Sequence, residues 1–318
     1  MEPVRPIEIK DVEAARERIG GTVLRTPLVK LELESGAPEI WLKLENLQPT
    51  NAYKIRGAMN AVAALSEEER AKGVWTISAG NAGQGVAYAA RAFGVPSTVV
   101  AIETAPQTKL DRMRALGATI VPVSYQDAWK IAESHRHPRL NGTLVHPFDN
   151  HDFIAGHGTM ALEILEDLPE VRTIIGAIGG GGLITGIGSP IKALRPDVKV
   201  FGAEPETASP YAYSLAHGGP QWFPDWKASF VDGAGGKSVT TRMWERMRPV
   251  TDGAITVTLD QTRAAMRLIA EKTRTIAEGA GALSVAAALT GEAGEGPIVC
   301  VVSGGNLDLE KFAELIAD

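Results

Sequence analysis

The chain has 318 residues and one cysteine, Cys300, which excludes an intrachain disulfide and a cysteine-rich metal site. Cys300 lies in the apolar run Ile298-Val299-Cys300-Val301-Val302 and reads as a buried strand residue rather than a reactive thiol. No apolar stretch comes near the roughly 18–20 residues needed to cross a bilayer, so no membrane partner is expected. The opening residues, Met1-Glu2-Pro3-Val4-Arg5, lack a basic segment followed by an apolar one, and a cytoplasmic location is the default expectation. The formal charge of −6 is spread without a long acidic or basic block, which argues against nucleic acid and for a small-molecule partner. Ligand spacing is missing among the histidines; His146, His151 and His157 read as structural or surface residues. Fixed-period repeats and low-complexity tracts are missing too, and the Gly/Pro/Trp-rich residues 218–226 read as a loop.

What is present is alternation. Short apolar runs end in glycine or small polar residues and give way to helical spacing, the pattern of an α/β protein with a largely parallel sheet. Candidate strands cover residues 40–44, 74–78, 97–101, 119–123, 173–178, 199–203 and 298–303; candidate helices cover 56–65, 84–93, 108–116, 156–165 and 259–273. Residues 71–150 hold three strand–helix alternations of similar size, enough for a sheet of their own. The expected organisation is two lobes, each an open, mostly parallel sheet flanked by helices. The large one takes residues 1–65 and 151–318, and the small one is inserted as residues 66–150.

Four segments carry chemistry-bearing residues. In Glu45-Asn46-Leu47-Gln48-Pro49-Thr50-Asn51-Ala52-Tyr53-Lys54-Ile55-Arg56-Gly57-Ala58 a turn leads into a helix, with Lys54 near its first turn, where the helix dipole opposes a cation. A functional amine suits that place, because desolvation lowers a lysine's pKa and frees the neutral amine for Schiff-base chemistry. A solvated surface lysine is the plain alternative. Ser78-Ala79-Gly80-Asn81-Ala82-Gly83-Gln84-Gly85-Val86 follows a strand and opens a helix. Its small residues let N–H groups approach a carboxylate, and Asn81 can hold a ring hydroxyl; a tight strand–helix turn would read the same way.

Gly179, Gly180, Gly181 and Gly182 follow an apolar run and precede a helix, where converging N–H groups can take a phosphate. No Gly-Lys-Ser/Thr follows, so this is not a Walker loop, and Thr185 stands where a Gly-x-Gly-x-x-Gly register needs its third glycine. Glu204 still ends the next candidate strand at the distance of a ribose-binding acid, which keeps a nicotinamide-dependent oxidoreductase as a rival. In Val301-Val302-Ser303-Gly304-Gly305-Asn306 the Ser303 hydroxyl ends a buried strand, where it can meet a ring nitrogen or simply close a turn.

In order along the chain, residues 45–58, 78–86 and 179–182, Ala277-Glu278-Gly279-Ala280-Gly281-Ala282, and residues 303–306 resemble the threonine/serine dehydratase and serine racemase family of fold-type-II pyridoxal-phosphate enzymes. The resemblance implies pyridoxal 5'-phosphate as cofactor, Lys54 as the lysine that carries it as a Schiff base and serves as base at Cα, and Tyr53 as the aromatic flanking the ring. It implies Asn81 at the ring hydroxyl, the four glycines with Leu183 around the phosphate, Ser303 at the pyridine nitrogen, and Glu278 on the cofactor side. The Asp232-Gly233 turn matches a backbone contact beside the ring, through Gly233. Ser78, Ala79, Gly80, Asn81 and Ala82 match the loop that holds the substrate carboxylate. The implied activity is loss of water from a β-hydroxy-α-amino acid to give a 2-oxo acid and ammonia, by a homodimer.

The departures from the family pattern bear on the reaction. The family writes its second motif Ser-Ser-Gly-Asn-His, where this chain has Ser78-Ala79-Gly80-Asn81-Ala82. In racemases the second serine is the acid/base on the face opposite the lysine; Ala79 moves no proton, which favours elimination. Thr-Gly-Ser-Phe-Lys becomes Thr50-Asn51-Ala52-Tyr53-Lys54, so threonine or serine, a hydroxyaspartate and phenylserine all stay open as substrates. Racemase-like and β-replacement chemistry are the alternatives within the cofactor class. A divalent or monovalent cation is an open expectation: Glu204 and Ala208 match the family's cation segment, while Pro210 stands where an aspartate belongs. The end of the chain at Asp318 carries the further expectation of no C-terminal regulatory domain.

Overall fold

The computed structural model describes residues 3–317; Met1 and Glu2 of the opening segment and the terminal Asp318 lie outside the described residues. Ten strands are formed among them: β1 (Leu28–Lys30), β2 (Ile40–Lys43), β3 (Val74–Ile77), β4 (Ser97–Ile102), β5 (Thr119–Val123), β6 (Thr143–Leu144), β7 (Thr173–Ala177), β8 (Lys199–Pro205), β9 (Gly253–Val257) and β10 (Ile298–Val301). The first sheet has the order β1-β2-β10-β7-β8-β9, with β1 antiparallel to β2 and every other neighbour parallel. The second, β5-β4-β3-β6, is parallel throughout. The class is thus α/β with two largely parallel sheets, as the alternation predicts.

β3, β7 and β10 are buried along their whole length, which is why they read as continuous apolar runs rather than alternating ones. β5 is an edge strand and partly exposed, and so accommodates Pro122. Three strands carry no usable sequence signal. β1 and β6 have only three and two residues, and β9 begins with the poor strand formers Gly253 and Ala254.

Helices Leu259–Thr273 and Gly279–Leu289 cover one face of the first sheet, and His151–Asp167 and Gly182–Leu194 cover the other. Asn81–Ala92 packs on the second sheet and joins its core to helix Lys54–Ala63. The helix expected over 156–165 is longer, His151–Asp167. Asn150 starts it by accepting the Phe153 N–H at 2.8 Å. Its internal glycine is a contact, not a break: a Cβ on Gly156 would lie 2.5 Å from the Arg56 carbonyl oxygen, and one on Gly57 would lie 2.4 Å from that of Phe153. Helix Lys54–Ala63 therefore crosses His151–Asp167 backbone to backbone.

A buried ionic cluster ties that crossing to β2. Arg56 Nε meets Glu45 at 2.8 Å, Arg56 Nη1 meets Glu163 at 2.7 Å, and Lys43 Nζ on β2 meets Glu163 at 2.6 Å. Arg56 lies one residue beyond the neighbour of Lys54, so the cluster anchors the turn that presents the amine. Among the described residues, no helix is long and apolar enough to cross a membrane.

Candidate active site

A cavity of about 500 Å³ opens between the two sheets, where Ser78, Gly179 and Ser303 follow the carboxyl ends of β3, β7 and β10. That end of a parallel sheet is where helix N-termini and loop N–H groups converge, and where ligands bind. Tyr53, Lys54, Ser78, Ala79, Gly80, Asn81, Ala82, Gly179, Gly180, Gly181, Leu183, Gly233, Glu278 and Ser303 line it together. Gly182 completes the glycine turn as the first residue of helix Gly182–Leu194.

Lys54 opens helix Lys54–Ala63, two residues earlier than the spacing suggests. Its Nζ donates to the Pro147 carbonyl at 2.7 Å and lies 5.0 Å from the Tyr53 ring and 5.3 Å from the Phe153 ring. Burial among these groups brings its pKa down to about 7, since the charged form has lost its water. The Tyr53 ring is held edge-on against His157 at 4.6 Å, and His157 is itself packed on Phe153 at 4.9 Å. His157 is thus a structural residue behind the site, as its sequence context suggests.

The glycine turn is dictated by its neighbours as well as by any ligand. A Cβ on Gly180 would meet the Phe148 ring at 2.2 Å, one on Gly179 would meet the Gly233 carbonyl oxygen at 2.6 Å, and Gly181 sits at φ +87°. The N–H groups of Gly181, Gly182 and Leu183 precede the first intrahelical bonds and have no acceptor among the described residues.

On the facing wall a chain of side-chain amides runs with one polarity. Arg112 donates to Asn306 Oδ1 at 3.1 Å, Asn306 Nδ2 donates to Asn81 Oδ1 at 2.8 Å, and Asn81 Nδ2 donates to Glu278 Oε1 at 2.6 Å. The guanidinium can only donate, so every amide in the chain has its orientation set. Burial, with Asp232 nearby, pushes the Glu278 carboxyl up to about 7. Ser303 is buried, its hydroxyl 3.4 Å from the Ala280 carbonyl.

Several lining residues were invisible in the sequence. Pro147, Phe148, Lys109, Trp129 and Met247 face the cavity, and Lys109 meets Asp232 across it at 2.6 Å. Phe148 follows the two-residue strand β6, so its position at a strand's carboxyl end could not be read.

Glu204 and Ala208 lie away from the cavity lining. Pro210 opens helix Pro210–Ala216, and the fully buried Glu204 accepts the N–H groups of Tyr211 at 2.9 Å and Ala212 at 2.8 Å. Burial raises its pKa to about 8. A carboxyl closed in this way cannot reach a ribose, and the nicotinamide reading fails on that geometry. Among the described residues, no three or more His, Cys, Asp or Glu are grouped to hold a metal ion.

A family model described as pyridoxal-phosphate dependent enzyme matches residues 19–304. The L-threonine ammonia-lyase of Thermotoga maritima is 38% identical over 321 residues, 98% of this chain and 78% of that one. The serine racemase of Dictyostelium discoideum is 34% identical over 328 residues, 99% of this chain and 100% of that one. The solved structure of maize serine racemase has a TM-score of 0.90 and 32% identity, covering 98% of this chain and 97% of that one. Motif order, fold and whole-length similarity therefore agree that this chain belongs to the threonine/serine dehydratase and serine racemase family of pyridoxal-phosphate-dependent enzymes.

Proposed function

We propose that the protein is an ammonia-lyase that takes a β-hydroxy-α-amino acid to a 2-oxo acid and ammonia. The observation that carries the reading is Ala79. It lines the same cavity as Lys54, and by resemblance it stands at the position where racemases of the family carry the serine that moves the second proton. Inverting Cα needs a proton delivered to the face opposite the one that lost it; a methyl group delivers none.

The residues fit pyridoxal 5'-phosphate. The acceptor-free N–H groups of Gly181, Gly182 and Leu183 at a helix start would hold its phosphate. Asn81 has one amide hydrogen on Glu278 and a second to give to the ring hydroxyl, and the Ser303 hydroxyl would take the ring nitrogen without adding charge. Tyr53 would flank the ring, the backbone at Gly233 would border it, and Lys54 would bind it covalently. When bound, the cofactor supplies an electron sink next to the substrate's Cα.

The chain's own groups do the rest. In the loop from Ser78 to Ala82, the N–H groups of Ala79, Asn81 and Ala82, which have no acceptor among the described residues, orient the substrate carboxylate. Lys54, its pKa brought down to about 7 so that a large share is neutral there, takes the Cα proton from a position its helix has already set. In this reading residues 1–65 with 151–318 form the cofactor lobe, and residues 66–150 the lobe over the substrate.

Reconstituted enzyme is expected to absorb near the visible edge, to be trapped by borohydride on Lys54, and to lose both properties as Lys54→Ala. A panel of serine, threonine, phenylserine and hydroxyaspartate isomers is expected to give 2-oxo acid and ammonia in equal amounts. Racemised substrate without 2-oxo acid would overturn the reading.

A further inference from the structure

The cavity of about 500 Å³ has to hold the cofactor as well as the substrate, and much of its wall outside the cofactor-holding residues is apolar. Beyond the loops already described, its lining includes Ile77, Ile102, Pro106, Trp129, Phe148 and Val239. The charged groups of the lining are paired, and several of its polar groups already take part in local bonds. Lys109 pairs with Asp232 and Asn81 with Glu278, while Ser78 Oγ takes the Gly80 N–H and Thr240 Oγ1 that of Met243. Apart from Lys54, each charged side chain in the described lining already has a partner, so a second substrate carboxylate would have to break a pair to be met.

Trp129 stands on helix Tyr125–Ser134 and meets Trp222, from the 218–226 loop, at 5.7 Å between ring centroids. Trp222 is 59% exposed, so this contact buries too little apolar surface to account for an indole there by stability. Trp222 also lines a second cavity of about 340 Å³, which shares Phe148, Ser238, Val239 and Thr240 with the first. Phe148 and Val239 thus stand between two neighbouring cavities, with Trp129 lining the first and Trp222 the second.

We propose that the substrate is a β-hydroxy-α-amino acid with an aromatic group on Cβ, and that Trp129 is the residue that selects it by packing against that ring. The proposal rests on the ammonia-lyase reading and names its substrate class. The Cα–H and Cβ–O bonds break, water leaves, and hydrolysis with release of ammonia yields an aryl-bearing 2-oxo acid, with no net oxidation.

An apolar pocket discriminates by about 10–200-fold per methylene, so a ring selected by packing should show at least the lower figure. Two readouts on the reconstituted enzyme test this. In turnover, threo- or erythro-phenylserine is expected to exceed threonine in kcat/KM by about tenfold or more. In binding, L-phenylalanine and L-alanine, which lack the leaving hydroxyl, are titrated against the cofactor absorbance, and phenylalanine is expected to bind about tenfold tighter or better. Trp129→Ala should shrink both ratios by about tenfold and Trp129→Phe should retain most of them, since a second aromatic restores the packing. Threonine preferred over phenylserine, or alanine bound as tightly as phenylalanine, overturns the proposal and leaves the ammonia-lyase reading standing. Tighter phenylalanine binding without 2-oxo acid from any substrate overturns that reading and upholds the aromatic pocket.

Discussion

Burial takes the Lys54 amine from its ordinary 10.5 to about 7, and the shift is a statement about stability as well as reactivity. Between those two values the unfolded chain holds a proton that the folded one has released, so stability rises with pH through that window. Below pH 7 the whole cost of the buried amine is present. Lys54→Met in the cofactor-free protein is expected to raise the melting temperature at pH 6 and to raise it less at pH 9; an equal gain at both would refute the burial argument. Glu278 has the opposite sign. Its carboxyl is raised from 4.5 to about 7, so the folded state holds the extra proton and stability falls as pH rises between those values. At this scale the glycines were legible and their reason was only half legible. Phosphate access predicts Gly180, but the Phe148 ring demands it independently.

Among the elements, helix Lys54–Ala63 depends most on what surrounds it. Its start was expected at Arg56, whereas the two added residues, Lys54 and Ile55, are supported by the Arg56 cluster and by the crossing at Gly57 and Gly156. Arg56→Leu leaves Glu45 and Glu163 buried with one cation fewer, which is expected to cost about 3–5 kcal/mol in denaturant unfolding. A cost under about 1 kcal/mol would mean that water reaches the cluster. The amide chain from Arg112 to Glu278 shows the same dependence. Asn81 was identified from its motif, but which way its amide points follows from Asn306 and Arg112, residues far away in sequence.

Across the whole molecule, helix Gln107–Ala115 and the turn at Asp232 meet over the cavity through Lys109 and Asp232, whose side chains are 25% and 61% exposed. Exposed pairs contribute about 0–1 kcal/mol, so Lys109→Met is expected to raise KM by no more than about fivefold while leaving the cofactor absorbance in place. A kcat collapse in that variant would instead make Lys109 part of the chemistry. High salt should reproduce the KM effect in the unaltered enzyme, because screening acts on the same pair.

The sequence by itself determined the α/β class, the long buried strands and the residues that line the cavity from Lys54, the 78–82 loop, the glycine turn, Gly233, Glu278 and Ser303. The class, the strands, Lys54, the 78–82 loop, the glycine turn and Ser303 follow from short-range patterns, apolar runs bounded by glycine, helix starts and residues at strand ends, while Gly233 and Glu278 followed from the family resemblance of their segments. Only the tertiary structure decided that Glu204 accepts two N–H groups at a helix start away from the cavity, that Phe148 shapes the glycine turn, and that Trp129 and Trp222 stand together. Each of those depends on contacts between segments far apart in the chain, and no local spacing encodes which distant side chain will fill the space next to a given residue.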